Sequence, residues 1–433
     1  FKNLKKEIYN FYLFLLHLLI LLCCTLNLSK FCAILIKVSL FQPKPFRKKN
    51  KSKKILIVLD RVTGGGRRDF EITNKSSSLI PQIFFIRRTI IKIIFYYFVD
   101  KSKLFKNLKL NYNELDNKPK YFELSEIIRN KLVLFWTDVI KHLKKLYKDN
   151  EEINFIALAY YYNTEFALYI GCKNNKVPVK LWNKECFMSD PHVRYRIKSN
   201  EYKKVFQYFD QISVYNSFMK KMLIKMDNLN KKKISVNGCP RINDFINKKK
   251  KIKKIKNLLF LTFNSITGIP QTKENRNLNW NLSHNKVIKI LNNLSDRKDI
   301  NVIIKIKNHN SFKTPVNISK NIKIFEGGSA EKLINQADII IGHNSGSTIE
   351  SMANGKYVMV PFFEKKLLLK KYLYKFNKNL IYLSEQKMKK KIIKLIGKKV
   401  VFPIENKDNK KTVKYFLGNS KFTLDKCANF LNK

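Results

Sequence analysis

The sequence predicts an α/β protein made of two doubly wound halves, with an apolar helical segment ahead of them. Three observations point there. Short apolar runs of the kind buried on both faces of a sheet recur along the chain, separated by longer segments with helical spacing. Two of these runs, "KKILIVLD" at 53–60 and "NLLFLTF" at 257–263, each open such a series. Each leads into a polar or glycine-bearing turn, as parallel βαβ units do.

The lead comes first. "YNFYLFLLHLLILLCCTLNL" (9–28) holds twenty residues without a charge, about the length that crosses a bilayer. Lys2, Lys5 and Lys6 precede it, and "PKPFRKKNKSKK" follows a second apolar piece, "FCAILIKVSLF". No small-residue cleavage site ends the run, which argues against a signal peptide. Asn10 and His17 interrupt it, so two readings stand: a spanning or in-plane membrane anchor, or an amphipathic helix leaning on the domain. The basic cluster 47–54 would keep the rest of an anchored chain on the cytoplasmic side. "QPKP" reads as a stiff linker.

In the first half, "RVTGGGRRDFE" follows the opening strand, and its glycine triplet is not a GxGxxG fingerprint. It fits either a backbone approach to an anion or a plain loop. "INFIALAY", "VPVKLW" and "QISVYN" read as strands, "NKLVLFWTDVIKHLKKLY" and "NSFMKKMLIKM" as helices. "KKISVNGCPRINDF" closes the half, and "INKKKKIKKIK" reads as a charged linker or a solvated helix face. In the second half "HNKVIKILNNL" is a helix, "INVIIKIKNHN" a strand ending in Lys305, Lys307 and His309, and "NIKIF" and "EKLINQ" a further strand and helix. The expected units are 1–52, lead and basic linker; 53–246, a first Rossmann-like domain; 255–417, a second; and 418–433, a closing helix.

Composition narrows the partners. Lys and Arg number 87 against 32 Asp and Glu, for a net charge of +55. Such charge suits a polyphosphate partner or an anionic membrane. Lysines, however, are spread through the whole chain beside abundant Asn and Ile, all with A/T-rich codons, and no nucleic-acid-binding signature accompanies them. No nucleic-acid partner is expected. The seven cysteines, at 23, 24, 32, 172, 186, 239 and 427, show no CxxC pair, which argues against a disulfide framework or zinc site.

The richest stretch is "ADIIIGHNSGSTIESMANGKYVMVPFF" (337–363). "ADIII" is a buried strand ended by Gly342. "STIE" fits a capping box with Ser347 as N-cap and Glu350 three residues on, and Gly355 fits the position that stops the helix. His343, Asn344, Ser345, Gly346, Ser347 and Thr348 therefore sit between the carboxyl end of a parallel strand and the amino end of a helix. Open α/β sheets bind ligands there, and free amides and the helix dipole attract phosphate. Capping alone would need only Ser347 and Glu350. The added glycine, histidine, amide and hydroxyls argue for a phosphorylated ligand, with Lys305, Lys307 and His309 supplying positive charge from the same sheet edge.

This pattern resembles the donor-binding segment of GT-B glycosyltransferases, whose fold is two Rossmann-like domains facing a cleft. UDP-N-acetylglucosamine 2-epimerases and CDP-glycerol glycerophosphotransferases share variants of it. "VYNSFMKKML…KKISVNGCPRINDF" and "VIIKIKNH" are similar to the same families, where a strand and a G-x-P-R-x-D segment close the first domain, and the lead resembles that of surface-carbohydrate biosynthesis proteins. The resemblance covers residue 53 to the C terminus. It implies that Glu350 hydrogen-bonds the ribose of a nucleotide and that Ser345 to Thr348 hold its diphosphate. No second Glu follows Glu350 at the E-x7-E spacing of retaining enzymes, which favours inversion. In such enzymes no metal or other cofactor is needed, and no DxD motif lies nearby.

Inversion requires a general base for the acceptor hydroxyl. "LWNKECFMSDPHVRYR" places Glu185, Asp190 and His192 past the strand at 177–182, with Glu185 and His192 preferred and Asp60 and Asp69 in reserve. The expected activity is transfer of a sugar from a nucleotide-activated donor to a glycan or lipid-linked envelope acceptor at the cytoplasmic face of the plasma membrane. The alternatives are a glycerophosphotransferase or epimerase of the same fold, or a non-catalytic basic protein binding membrane or nucleic acid.

Overall fold

The computed structural model describes residues 2–42, 53–60, 65–76, 81–102, 104, 121–147, 151–159, 163–183, 205–227, 229–246, 249–262, 280–306, 316–326, 328–342, 345–363, 378–418 and 422–433. The first sheet holds β1 (Lys54–Asp60), β2 (Gln82–Arg87), β3 (Glu152–Ala157), β4 (Val179–Trp182), β5 (Gln211–Val214) and β6 (Ile234–Val236). All are parallel, in the order β2-β1-β3-β4-β5-β6. β1 is a near-continuous apolar run because both faces of the sheet are covered. One face packs on the helices Arg88–Val99, Glu126–Lys145 and Phe166–Asn174 through Ile90, Phe95, Phe135, Trp136 and Tyr169.

The second sheet follows a short excursion. The charged run at 246–256 is neither a linker throughout nor a helix face: Lys251–Lys254 is β7, paired antiparallel with β14 (Lys399–Phe402). Lys253 reaches Asp338 at 2.5 Å, so this basic strand is drawn in by a buried carboxylate. β8 (Asn257–Leu261), β9 (Asn301–Ile306), β10 (Lys323–Glu326), β11 (Ile339–Gly342), β12 (Tyr357–Pro361) and β13 (Ile381–Tyr382) form a second parallel sheet, ordered β10-β9-β8-β11-β12-β13. Counted within the domain that order is 3-2-1-4-5-6, the dinucleotide-fold order, whose direction reverses between β8 and β11. Asp338 secures this junction. It is fully buried, and its Oδ2 accepts from the backbone N–H of Lys256 (3.1 Å) and Asn257 (2.9 Å) at the foot of β8.

The chain then returns to the first domain. Helix Lys407–Leu417 stops at Gly418, whose φ is +83°. The Leu417 carbonyl accepts from Cys239 N–H (2.9 Å), and the Phe416 carbonyl from the Asn216 side chain (2.7 Å). The last helix, Thr423–Asn432, lies on the second face of the first sheet. There Cys427, Ala428, Phe430 and Leu431 join Leu56, Val58, Phe70, Phe85 and Trp182 in one core. A third apolar cluster spans both halves, with Tyr215, Cys239 and Ile242 from the first and Ile349, Met352 and Val358 from the second.

At the other end, Lys2–Thr25 and Ser29–Ser39 are helices. The stretch Glu7–Thr25 is long and apolar enough to cross a membrane, yet Leu16, Ile20, Leu21, Cys23 and Cys24 are buried in the first domain's core. The proposed linker "QPKP" lies almost wholly outside the described residues.

Gly418 marks where the two halves are joined. A Cβ there would lie 2.1 Å from the Tyr215 carbonyl oxygen and 2.9 Å from Gly238 Cα, on a positive φ that costs any L side chain. Gly418→Ala is expected to lower unfolding free energy by about 2–4 kcal/mol, read as a fall in urea midpoint.

A candidate ligand site at the seam of the two domains

The carboxyl ends of β8 and β11 meet at the reversal point of the second sheet, where the crevice of such a fold opens. Helix Gly346–Ala353 begins there. Its N-cap is Ser345, not Ser347: Ser345 is extended (φ −144°, ψ 156°), and its Oγ accepts from Thr348 N–H at 3.3 Å. The physical reason lies in the turn. Thr348 is buried, its Oγ1 bonds Ser345 Oγ at 3.0 Å, and a Cβ on Gly342 would come within 2.7 Å of that oxygen. The turn is closed so tightly that the helix starts one residue before Ser347. Ser347 lies in the first turn, where its carbonyl accepts from Ser351 Oγ at 2.6 Å. Gly355 does stop the helix, at φ +63°.

The amides of Gly346 and Ser347 precede the first intrahelical bonds and face the crevice end of the helix. Ser345, Gly346 and Ser347 are half-buried, as a ligand-facing lip requires. Lys305, at the carboxyl end of β9, is buried and donates from Nζ to the Ile306 carbonyl at 2.9 Å. Burial lowers its pKa, and Glu326 opposes that shift. Of the other candidates, His343, Asn344, Lys307 and His309 lie outside the described residues. So do the proposed bases Glu185, Asp190 and His192.

Glu350 does not close a capping box. It sits in the second turn of the helix, and its Oε1 is held by Arg241 Nη1 at 3.0 Å. Arg241 follows the Cys239-Pro240 turn after β6, so this ion pair crosses from one domain to the other. The same guanidinium donates from Nε to Asp69 Oδ1 at 2.8 Å. Asp69 lies in helix Gly65–Ser76, whose first two residues are Gly65 and Gly66 of the glycine triplet rather than a turn, and is fully buried. The Tyr215 hydroxyl donates to Asp69 Oδ2, and Arg241 Nη2 lies 3.4 Å from that hydroxyl.

Burial holds the Asp69 carboxyl above its usual range, against the pull of Arg241 and the Tyr215 hydroxyl. Burial alone would lower Arg241, but Asp69, Cys239 and Glu350 around it hold it well above its ordinary value. One step along the same helix, Arg68 pairs with Glu331 of the second domain. Asp69 is thus committed to Arg241 and Tyr215, which removes it as a reserve base. Arg241 stood in the sequence as the arginine of the family-like "GCPR" segment, but nothing local showed its role, because its two partners lie far away in the chain.

No family model matches the chain, and no curated protein matches it. Among solved structures it is similar to UDP-GlcNAc 2-epimerase from Methanocaldococcus jannaschii, at 14% identity and a TM-score of 0.49 over 87% of this chain and 99% of that one. It is also similar to UDP-GlcNAc 2-epimerase from Neisseria meningitidis bound to UDP-GlcNAc, at 13% identity and 0.45 over 87% and 100%. A structure of trehalose-6-phosphate from E. coli bound with UDP-2-fluoro glucose follows at 7% identity and 0.46 over 88% and 99%. Likenesses this distant assign neither an activity nor a residue role. The two parallel-sheet α/β domains are the GT-B arrangement expected from the sequence, and the closing helix returns to the first of them.

Removing Arg241 would leave two carboxylates at a buried seam without their cation. Arg241→Met is expected to destabilise by about 3–5 kcal/mol. In a double-mutant cycle with Asp69→Asn, the second change should cost far less once the first is made, measured by denaturant unfolding.

Proposed function

We propose that the chain is a nucleotide-sugar-dependent transferase that moves a sugar, with inversion, onto an envelope glycan or a lipid-linked acceptor. One observation carries the reading: the Ser345-capped helix opens at the reversal point of the second sheet, with Glu350 one turn further in at the domain seam. Helix amides at such a crevice suit a diphosphate. In this reading the Gly346 and Ser347 amides and the half-buried Ser345 and Ser347 receive the diphosphate, Thr348 keeps the turn closed, and His343 and Asn344 border it. Lys305, Lys307 and His309 add positive charge from β9 and the segment after it.

Arg241 occupies Oε1 of Glu350, and Oε2 is the oxygen we assign to a ribose hydroxyl. The donor's anomeric carbon would then face the first domain across the seam. A base from the segment after β4, Glu185 or His192 with Asp190 as neighbour, takes the proton of the acceptor hydroxyl. The acceptor oxygen bonds to the anomeric carbon as the bond to the diphosphate breaks. The leaving diphosphate keeps the electron pair and is stabilised by the helix end and the lysines.

A thermal-shift series with UDP, CDP, GDP, CMP and their sugars tests this. One base is expected to stabilise the protein by about 2.7 kcal/mol at about 100 times its Kd, and Glu350→Gln should lose most of that increment. No stabilisation by any of them would sink the reading. Conversion of the donor sugar without an acceptor would replace transfer by epimerisation at the same site.

Loss of the base has its own signature. Glu185→Gln or His192→Ala should lower kcat by roughly 10²–10⁴-fold while the nucleotide-induced stabilisation persists, measured by product formation and thermal shift on the same preparations.

A further inference from the structure

Helix Lys2–Thr25 has two unlike sides. Its second half is docked: Leu16, Ile20, Leu21, Cys23 and Cys24 are buried in the first domain's core. On the other side Leu4, Ile8, Phe11, Leu15, Leu18 and Leu22 recur every three or four residues, and all are exposed, Phe11 by 67% and Ile8 by 61%. That spacing sets them on one face. From Leu4 to Leu22 the stripe runs about 27 Å along the helix. A continuous apolar stripe in water marks a surface that something covers.

We infer that this stripe docks on an anionic phospholipid bilayer, with the helix lying in the plane of the interface. Three observations choose the occupant and the orientation. First, the helix is held along its inner side, so a crossing would require Leu16, Ile20, Cys23 and Cys24 to leave the core. Second, the first 54 residues carry twelve basic side chains, among them the exposed Lys30, against the single acid Glu7. That charge attracts anionic headgroups and repels a second copy of the same surface. Third, the helix is pinned from its base. The Arg87 guanidinium lies over the Tyr9 ring at 5.2 Å and the Phe41 ring at 4.6 Å, and Phe41 bridges backbone to backbone with Phe85 of β2. The exposed Tyr9 and Tyr12 suit the headgroup boundary. A helix with this division inserts one face to a shallow depth and is sensitive to lipid charge.

The inference does not rest on the nucleotide site. The test is flotation of the full chain with vesicles of phosphatidylcholine alone and of phosphatidylcholine with phosphatidylglycerol. Binding is expected to the anionic vesicles, with roughly tenfold or greater weakening in the double variant Phe11→Asp/Leu18→Asp and release by alkaline carbonate. The variant's thermal melt and its response to nucleotides should match those of the unaltered chain, since both residues point away from the core. Three results overturn the inference: no difference between the two lipids; protein retained after the carbonate wash, as a spanning helix would be; or a lipid-free dimer that the double variant abolishes. Should the double variant melt early, Phe11→Ser alone is put through the same flotation, and unchanged binding by it also counts against the stripe.

Discussion

A single guanidinium ties the molecule together. Arg241 lies at the domain seam with Asp69 on one side and Glu350 on the other, and Tyr215 completes the cage around Asp69. A charge in such a place is tolerated only with its hydrogen-bonding capacity met and its counter-charges in contact. Arginine suits the task because its planar fork can engage two carboxylates at once. The consequence is structural before it is chemical. The helix after β1, the turn after β6 and the helix after β11 share one electrostatic centre. The angle at which the two sheets face each other is therefore coupled to the position of Glu350.

That coupling places the two reversal points in relation to each other. Each sheet has a crevice where its winding changes direction, between β1 and β3 in the first and between β8 and β11 in the second. The second carries the polar lip and the capped helix. The first carries helix Gly65–Ser76, which delivers Asp69 and Arg68 to the seam. The apolar contact of Tyr215, Cys239 and Ile242 with Ile349 and Met352 packs the same joint. The last helix completes it by filling the open face of the first sheet with residues from the end of the chain.

Much of this was legible in the residues. Runs such as "KILIVLD" and "ADIIIG" declare strands covered on both faces, and the alternation of strand and helix fixes parallel pairing. What escaped was whatever depends on partners distant in the chain. The ribbon of β7 with β14 is written in lysines, and only the buried Asp338 explains why "KIKK" is drawn in. The cap moved from Ser347 to Ser345 because Gly342 lets Thr348 close the turn, a contact no local capping pattern contains. Glu350 fitted a capping box by spacing, yet its carboxylate was claimed by an arginine more than a hundred residues earlier. The apolar lead left two readings open, an anchor or a helix leaning on the domain, and only the fold shows that one side of its second half is buried while the other stays in the open.

The most direct measurement of the central claim is amide hydrogen exchange on the intact protein with and without saturating UDP, CDP or GDP. A nucleotide seated at the reversal point of the second sheet should slow exchange at the amides of Gly346 and Ser347. It should also slow the backbone around Arg241, because Glu350 is shared between ligand and seam. Protection confined to the start of helix Gly65–Ser76, or no protection by any of the three, would contradict the account.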